Sequence, residues 1–166
     1  VRAIQGRFTQ RNGDGSIQAG QFWLQRPGRM RFEYDRPSPL LLVADGTTLA
    51  IEHRDLRNTD RLPLRQSPLH FVLKNDINLE RDARVTQVER RGDITRVSVA
   101  DRRGEVNGTL TLVLRGPAFD LIEWVVVDGD GARAQVTLTD VRPAPNLPAS
   151  LFRIVDTNDP TARRRP

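Results

Sequence analysis

The chain has 166 residues, of which 26 are basic and 21 are acidic, so its formal net charge is +5, and it contains no cysteine. This length suits one domain that buries roughly two-thirds of the surface exposed by its unfolded form. The absence of cysteine excludes disulfides and thiolate metal sites. No stretch approaches the roughly 18 apolar residues of a membrane span. The chain begins at Val1 without a leader, and we expect that a signal segment was removed before it.

The basic residues do not form the pattern of a nucleic-acid-binding protein, and we expect no nucleic-acid partner. Lys74 is the only lysine, and the arginines are interleaved with acidic residues, as in Arg54-Asp55. This interleaving is typical of a solvated surface. A basic run occurs at 163–165, in an arginine- and proline-rich tail (156–166) that we predict to be flexible. Contact of that tail with anionic lipid or an acidic partner remains open.

Alternating apolar and polar residues predict β-strands along most of the chain. In the first half, Phe22, Leu24 and Arg26 alternate with Trp23 and Gln25. Likewise, Met30, Phe32 and Tyr34 alternate with Arg31 and Glu33. Further β-branched or leucine-rich runs lie at 85–99, 110–114, 121–127 and 136–141, and turn signals lie at 12–15, 26–28, 45–46, 91–93, 103–104, 116–117 and 128–131. The pattern predicts about ten strands. Their close spacing leaves no room for crossover helices, so it favours an antiparallel, sequential meander that curls into a barrel or half-barrel.

The segment 67–74 departs from this alternation and predicts a short helix of about two turns. Ser67 is suited to cap it, Pro68 fits the first helical position, and Leu69, Val72 and Leu73 share one face, with Phe71 beside them. An isolated helix of this length is unstable in water. We therefore expect it to lie on the apolar face of the sheet.

Aromatic residues occur on both faces of the second predicted strand, with Phe22 on one side and Trp23 on the other. Each side must therefore be covered. The pattern alone favours a packed sandwich or a filled small barrel over a hollow one.

Five segments resemble the LolA family of periplasmic lipoprotein carriers. Residues 6–10 (GRFTQ) match the F-x-Q signature of the family's first strand, and residues 20–34 (GQFWLQRPGRMRFEY) resemble its G-x-h-h-h-x-R-P-x-x-h-R-h-x-Y element. Residues 41–49 (LLVADGTTL) resemble its l-l-V-s-D-G-x-x-L element. Residues 67–73 lie where the family has a lid helix, and residues 146–152 (NLPASLF) resemble its closing segment.

This resemblance implies a mainly β fold, namely a curved antiparallel sheet forming an incomplete, unclosed β-barrel of about ten to eleven strands with short lid helices. It implies one carrier domain over 1–155. The chain begins only a few residues before the first strand, where the family has a helix, and Met30 stands where relatives often carry an aromatic residue. Part of the lid is therefore expected to be missing. Met30 is expected to make one part of the cavity wall more flexible while keeping it apolar.

The resemblance also implies a site and a role. The acyl-chain cavity is expected to be lined by Phe22, Leu24, Met30, Phe32, Tyr34, Leu69 and Phe71. Arg26 is expected to latch the lid by donating to carbonyls at the helix end.

The implied function is that of a periplasmic chaperone, soluble and monomeric, without cofactors. It takes acylated lipoproteins from an inner-membrane lipoprotein-releasing ABC transporter and passes them to an outer-membrane acceptor. The alternative is a related β-fold module that binds another hydrophobic ligand or senses envelope stress.

Enzymatic chemistry has little support in the sequence. His53 and His70 lie in unrelated segments without ligand-spaced neighbours, so we predict no metal site and structural roles for both. The motif Asp128-Gly129-Asp130-Gly131 lacks the twelfth-position glutamate of a calcium loop, because Thr139 occupies that position. We predict a hairpin turn there, and a binding protein and not an enzyme.

Overall fold

A computed structural model of the protein describes residues 3–73, 83–101 and 108–155. In these residues, eleven antiparallel strands form one sheet, with three short 3-10 helices beside it. The strands are β1 (Ala3–Asn12), β2 (Ile17–Gln25), β3 (Arg29–Tyr34), β4 (Leu40–Asp45), β5 (Thr48–His53), β6 (Asn58–Pro63), β7 (Ala83–Arg91), β8 (Ile94–Asp101), β9 (Gly108–Arg115), β10 (Asp120–Asp128) and β11 (Arg133–Pro143). The helices are η1 (Leu64–Gln66), η2 (Pro68–Phe71) and η3 (Ala149–Phe152).

The sheet consists of two meanders, β1–β6 and β7–β11, which are joined where the first strand pairs with the last. Its order is β6-β5-β4-β3-β2-β1-β11-β10-β9-β8-β7, so β1 pairs with β11, and β6 and β7 form the two edges. The predicted mainly β, unclosed barrel of antiparallel strands is confirmed. Within each half of the sheet, strands that are consecutive in the sequence pair with each other, as predicted. The spacing of the sequence does not indicate the pairing of β1 with β11. The barrel remains open between β6 and β7.

The predicted turns separate consecutive strands wherever the structure describes them, while the turn at 103–104 and the tail 156–166 lie outside the described residues. The motif at 128–131 is a hairpin turn between β10 and β11, as predicted. The Asp128 carboxylate accepts hydrogen bonds from the amides of Asp130 (2.9 Å) and Ala132 (3.0 Å). This carboxylate therefore stabilises its own turn.

The inner face of the sheet carries the main hydrophobic core, which is rich in aromatic side chains. Phe32 is central to it, because its ring centroid lies 4.8 Å from that of Phe8, 5.5 Å from that of Phe22 and 5.8 Å from that of Trp124. Gly20 makes this packing fit, since a Cβ there would lie 2.8 Å from the Phe8 ring and 2.0 Å from the Glu33 carbonyl oxygen.

The outer face is covered over β3 and β4 by the C-terminal segment. Helix η3 packs on these strands, and Arg31 Nη1 donates to the Leu151 carbonyl at 3.2 Å. Phe152, Leu41 and Val43 are buried there. The expectation that both faces are covered is thus met in this part of the sheet, on the inside by the core and on the outside by η3.

The segment after β6 is helical, as predicted, but shorter. It forms two successive 3-10 turns, η1 and η2, instead of one two-turn helix. Ser67 caps η2 by accepting from the Leu69 amide at 3.2 Å, and Pro68 is its first residue. The residue before a proline is restricted to extended backbone, and Ser67 at φ −99° and ψ 138° follows this rule, so η2 cannot begin earlier. Lys74 lies outside the described residues.

Helices η1 and η2 lie at one end of the strands, which we call the helical end. The Leu64 amide donates to the Thr47 carbonyl (2.8 Å), and the Gly28 amide donates to the Leu73 carbonyl (2.9 Å), so the turns at 26–28 and 46–47 belong to this end. The turns at 13–16 and 129–132 mark the opposite end, where the Gly13 amide donates to the Arg133 carbonyl at 2.9 Å.

Candidate functional site

A cavity of about 670 Å³ lies between the inner face of the sheet and the η1–η2 segment. This volume is within the roughly 300–1,000 Å³ of sites that bind small molecules. Its walls come from both halves of the sheet and from the helices. The lining residues are Gln10, Met30, Phe32, Tyr34, Leu42, Leu49, Ile51, Leu62, Gln66, Ser67, Pro68, Leu69, Trp124, Val126, Asp128, Gly129, Asp130, Ala134 and Val136.

The helical end and the middle of the cavity have largely apolar walls. Met30, Leu49 and Leu69 line the helical end, while Phe32 and Trp124 line the middle. Burial of apolar ligand surface here is favourable by about 25 cal/mol per Å². This part of the cavity is therefore suited to hydrocarbon.

The opposite end of the cavity is polar, and we call it the polar end, formed by Gln10, Tyr34 and the turn at 128–130. The Tyr34 hydroxyl donates to Gln10 Oε1 at 2.5 Å. Burial raises the pKa of Tyr34 to about 12, so its hydroxyl stays protonated at neutral pH. Asp128 and Asp130 are exposed at the rim.

The structure places the seven predicted lining residues in two groups. Met30, Phe32, Tyr34 and Leu69 line the cavity. Phe22, Leu24 and Phe71 belong to the same buried core as Met30, Phe32 and Tyr34, but they do not line the cavity.

Several lining residues are missing from the sequence prediction because they lie on other strands. Trp124 and Val136 face each other across β10 and β11, and Leu42 on β4 pairs with Phe32. The strand alternation places each of them on the inner face. For Trp124 and Val136, the missing signal is the pairing of β1 with β11, which brings β10 and β11 into the same sheet as β2 and β3.

Arg26 connects the sheet to the helical segment. Its Nε donates to the Val72 carbonyl at 3.0 Å, directly after η2, and the Gly28 amide holds the next carbonyl, that of Leu73. Burial lowers the pKa of Arg26, as expected when a guanidinium is partly removed from water. The predicted contact with helix-end carbonyls is therefore present, and its role in opening the lid remains a prediction.

The two histidines occupy separate places. His53 Nε2 lies 3.9 Å from Asp60 Oδ2, whereas His70 Nδ1 lies 2.9 Å from the Ser67 carbonyl oxygen and its ring contacts Phe71. Over the described ranges, no three histidine or acidic side chains are grouped as metal ligands. Within the same ranges, no helix is long and apolar enough to cross a membrane.

The fold and the cavity together define a class: open antiparallel barrels that hold an apolar cavity between one sheet face and short covering helices. The family model described as "Outer membrane lipoprotein carrier protein LolA" matches residues 1–155. The chain therefore belongs to the LolA family.

Individual relatives agree with this assignment. An outer-membrane lipoprotein carrier protein of Alkalilimnicola ehrlichii is 41% identical over 61 residues, covering 34% of this chain and 28% of its own length. One of Chromobacterium violaceum is 26% identical over 139 residues, covering 81% and 66%, respectively. The chain thus spans less than two thirds of the length of either relative. The crystal structure of a LolA superfamily protein from Nitrosomonas europaea shares the fold, with a TM-score of 0.51 at 12% identity over 92% of this chain and 90% of that one.

Proposed function

We propose that this protein is a periplasmic carrier that encloses the acyl chains of outer-membrane lipoproteins in its cavity. It takes them from an inner-membrane lipoprotein-releasing ABC transporter and delivers them to an outer-membrane acceptor. The observation that supports this most directly is the cavity of about 670 Å³ with apolar walls, in a chain of the LolA family.

The energetics of the task favour such a cavity. An acyl chain that leaves the bilayer loses about 0.8 kcal/mol per methylene group, or roughly 12 kcal/mol for a chain of sixteen carbons. A polar groove cannot offset this loss. Walls such as Phe32, Leu42 and Trp124 replace the hydrocarbon surroundings of the membrane. Transport in this form needs no covalent step, in keeping with a binding protein.

Cargo release requires a cover that opens at modest cost. Helices η1 and η2 are single turns, and their hydrogen bonds to the turn at 26–28 include those of Arg26 and Gly28. Phe71 and Val72 of this segment are also buried. A cover of so few residues opens without unfolding the sheet, and an acyl chain that enters the cavity replaces the apolar contacts that these side chains lose.

The test is a release assay. Inner-membrane vesicles that contain a labelled lipoprotein and the ABC transporter are incubated with the purified protein and ATP. We expect a one-to-one complex of protein and lipoprotein in the supernatant. Mass spectrometry of the extracted complex then identifies the bound lipid.

A pair of variants sharpens this assay. Leu69→Asp places a charge on the cavity wall and is expected to abolish the complex, because a buried charge next to hydrocarbon is costly. Leu56→Asp changes a side chain that is 72% exposed and is expected to behave as wild type. Failure of the wild type to form any complex, or equal activity of Leu69→Asp, would contradict the carrier role.

A further inference from the structure

The polar end of the cavity contains an ordered group of hydrogen-bonding side chains beside an otherwise apolar space. Gln10 and Tyr34 line the cavity, and Asn12 supports Gln10 from behind by accepting from its Nε2 at 2.8 Å. Asn12 Nδ2 in turn donates to Gln18 Oε1 at 3.1 Å, and Gln18 Nε2 donates to Ser38 Oγ at 3.0 Å. This chain of hydrogen bonds fixes how the Gln10 amide is oriented.

The hydrogen bonds of Gln10 determine what it can offer to a ligand. Its oxygen accepts from the Tyr34 hydroxyl, and its nitrogen uses one N–H on Asn12. A glutamine amide nitrogen carries two N–H groups. Among the described residues no hydrogen bond uses the second N–H, so this donor is available on a side chain that lines the cavity.

We infer that Gln10, held by Tyr34, forms a subsite for the carbonyl group that joins an acyl chain to the rest of the lipid. This inference rests on the proposed function and deepens it. The hydrocarbon tail lies toward Met30 and Leu69 at the helical end, and the ester or amide carbonyl accepts the Gln10 N–H at the polar end. The remainder of the cargo leaves the cavity past the exposed turn at 128–130.

The ligand class follows from the chemistry of this subsite. A carbonyl oxygen is a good acceptor, whereas an ether oxygen at the same place is a poorer one. Gln10 and Tyr34 are uncharged, and the rim carries the carboxylates of Asp128 and Asp130. Neutral esters and amides therefore fit better than a free carboxylate or a phosphate, which the rim repels.

The experiment compares two lipids that differ at this carbonyl. Monopalmitoylglycerol and hexadecyl glyceryl ether have similar chains and the same diol, but only the first has an acyl carbonyl. Each is titrated against the full chain loaded with a fluorescent apolar dye, and the ratio of their displacement constants is measured. We expect the wild type to prefer the ester by about fivefold, the value of one ordinary hydrogen bond.

Variants assign this preference to the subsite. Gln10→Met and Gln10→Glu both remove the N–H donor and are expected to bring the ratio close to one. Tyr34→Phe removes the hydrogen bond that orients the Gln10 amide and is expected to lower the ratio. Gln21→Met makes the same replacement at an exposed glutamine that does not line the cavity, and it should keep the wild-type ratio.

The outcomes separate the two proposals. Equal binding of ester and ether by the wild type, or an unchanged ratio in both Gln10 variants, overturns the subsite and leaves the carrier role standing. Binding of neither lipid by the wild type overturns the carrier role and the subsite together.

Discussion

Tyr34 shows at the scale of a single residue how the cavity combines apolar walls with a defined polar end. The side chain belongs to the core, with its ring 4.9 Å from that of Phe8, but its hydroxyl reaches Gln10. Burial disfavours the phenolate, and this raises the pKa of Tyr34 from its ordinary 10.0 to about 12. The Tyr34 hydroxyl therefore keeps its proton, and its hydrogen bond to Gln10, well into the alkaline range.

This shift predicts a loss of stability at alkaline pH. The folded chain keeps a proton that the unfolded chain loses between pH 10 and 12, so the stabilisation is complete below pH 10 and decreases as pH rises through that interval. The decrease is about 1.4 kcal/mol per pH unit. Urea unfolding from pH 9 to 12 measures it, and Tyr34→Phe should remove this component. Tyr34 is the only tyrosine, so ultraviolet titration of tyrosinate reports its pKa directly; an ordinary value would refute the explanation.

At the scale of elements, the short helical segment depends on the β2–β3 turn for its position. Single 3-10 turns are not stable alone. The Val72 and Leu73 carbonyls at the end of η2 are held by Arg26 and by the Gly28 amide, respectively. The same turn thus connects β2 to β3 and holds the η1–η2 segment that covers the cavity.

We predict that Arg26→Leu leaves the fold intact and impairs cargo handover. It removes the side-chain donor to Val72, while the Gly28 amide still holds Leu73, so thermal unfolding should shift by only a few degrees. Because the Arg26 hydrogen bond favours the closed, cargo-free position of the cover, its loss reduces the tendency of the protein to close and expel cargo, so transfer of a preloaded lipoprotein to the outer-membrane acceptor should slow markedly. Arg26→Lys is the matched control. It keeps the positive charge but lacks the planar guanidinium, so it tests whether the charge alone is sufficient. Normal delivery by Arg26→Leu would refute a latch role for this arginine.

At the scale of the whole molecule, the sheet is continuous through β1 and β11 but open between β6 and β7. Helices η1 and η2 follow the edge strand β6, and η2 packs against β9 and β10 in the other half of the sheet. Residues from both halves of the sheet and from the η1–η2 segment surround the cavity.

An apolar cavity of about 670 Å³ predicts stabilisation by a lipid that enters it. A lipid that binds the folded chain alone raises the free energy of unfolding by about 2.7 kcal/mol at a hundredfold excess over its dissociation constant. We expect monopalmitoylglycerol to raise the melting temperature accordingly, whereas Leu69→Asp should show little change. Differential scanning fluorimetry over a range of lipid concentrations measures the effect. A wild-type melting temperature that is insensitive to lipid would argue against an accessible cavity.

The sequence predicts on which face of the sheet a strand residue lies, but not whether that residue lines the cavity. Alternation correctly places Phe22 and Phe32 on the same face, and they pair across β2 and β3. Yet both rings belong to the buried core, and only Phe32 lines the cavity. Alternation reports on which side of the backbone a side chain lies. It does not report how much space the opposite elements leave above it.

Most strands, most of the turns between them and the helix that begins at Pro68 can be predicted from the sequence alone. These features depend on local backbone sterics and on the period of the side chains. The sequence does not indicate β6, the pairing of β1 with β11, the opening between β6 and β7, or the contribution of Trp124 and Val136 to the cavity wall. A cavity is the volume that the sheet encloses minus the volume that its side chains fill, and those side chains come from strands that are distant in the sequence.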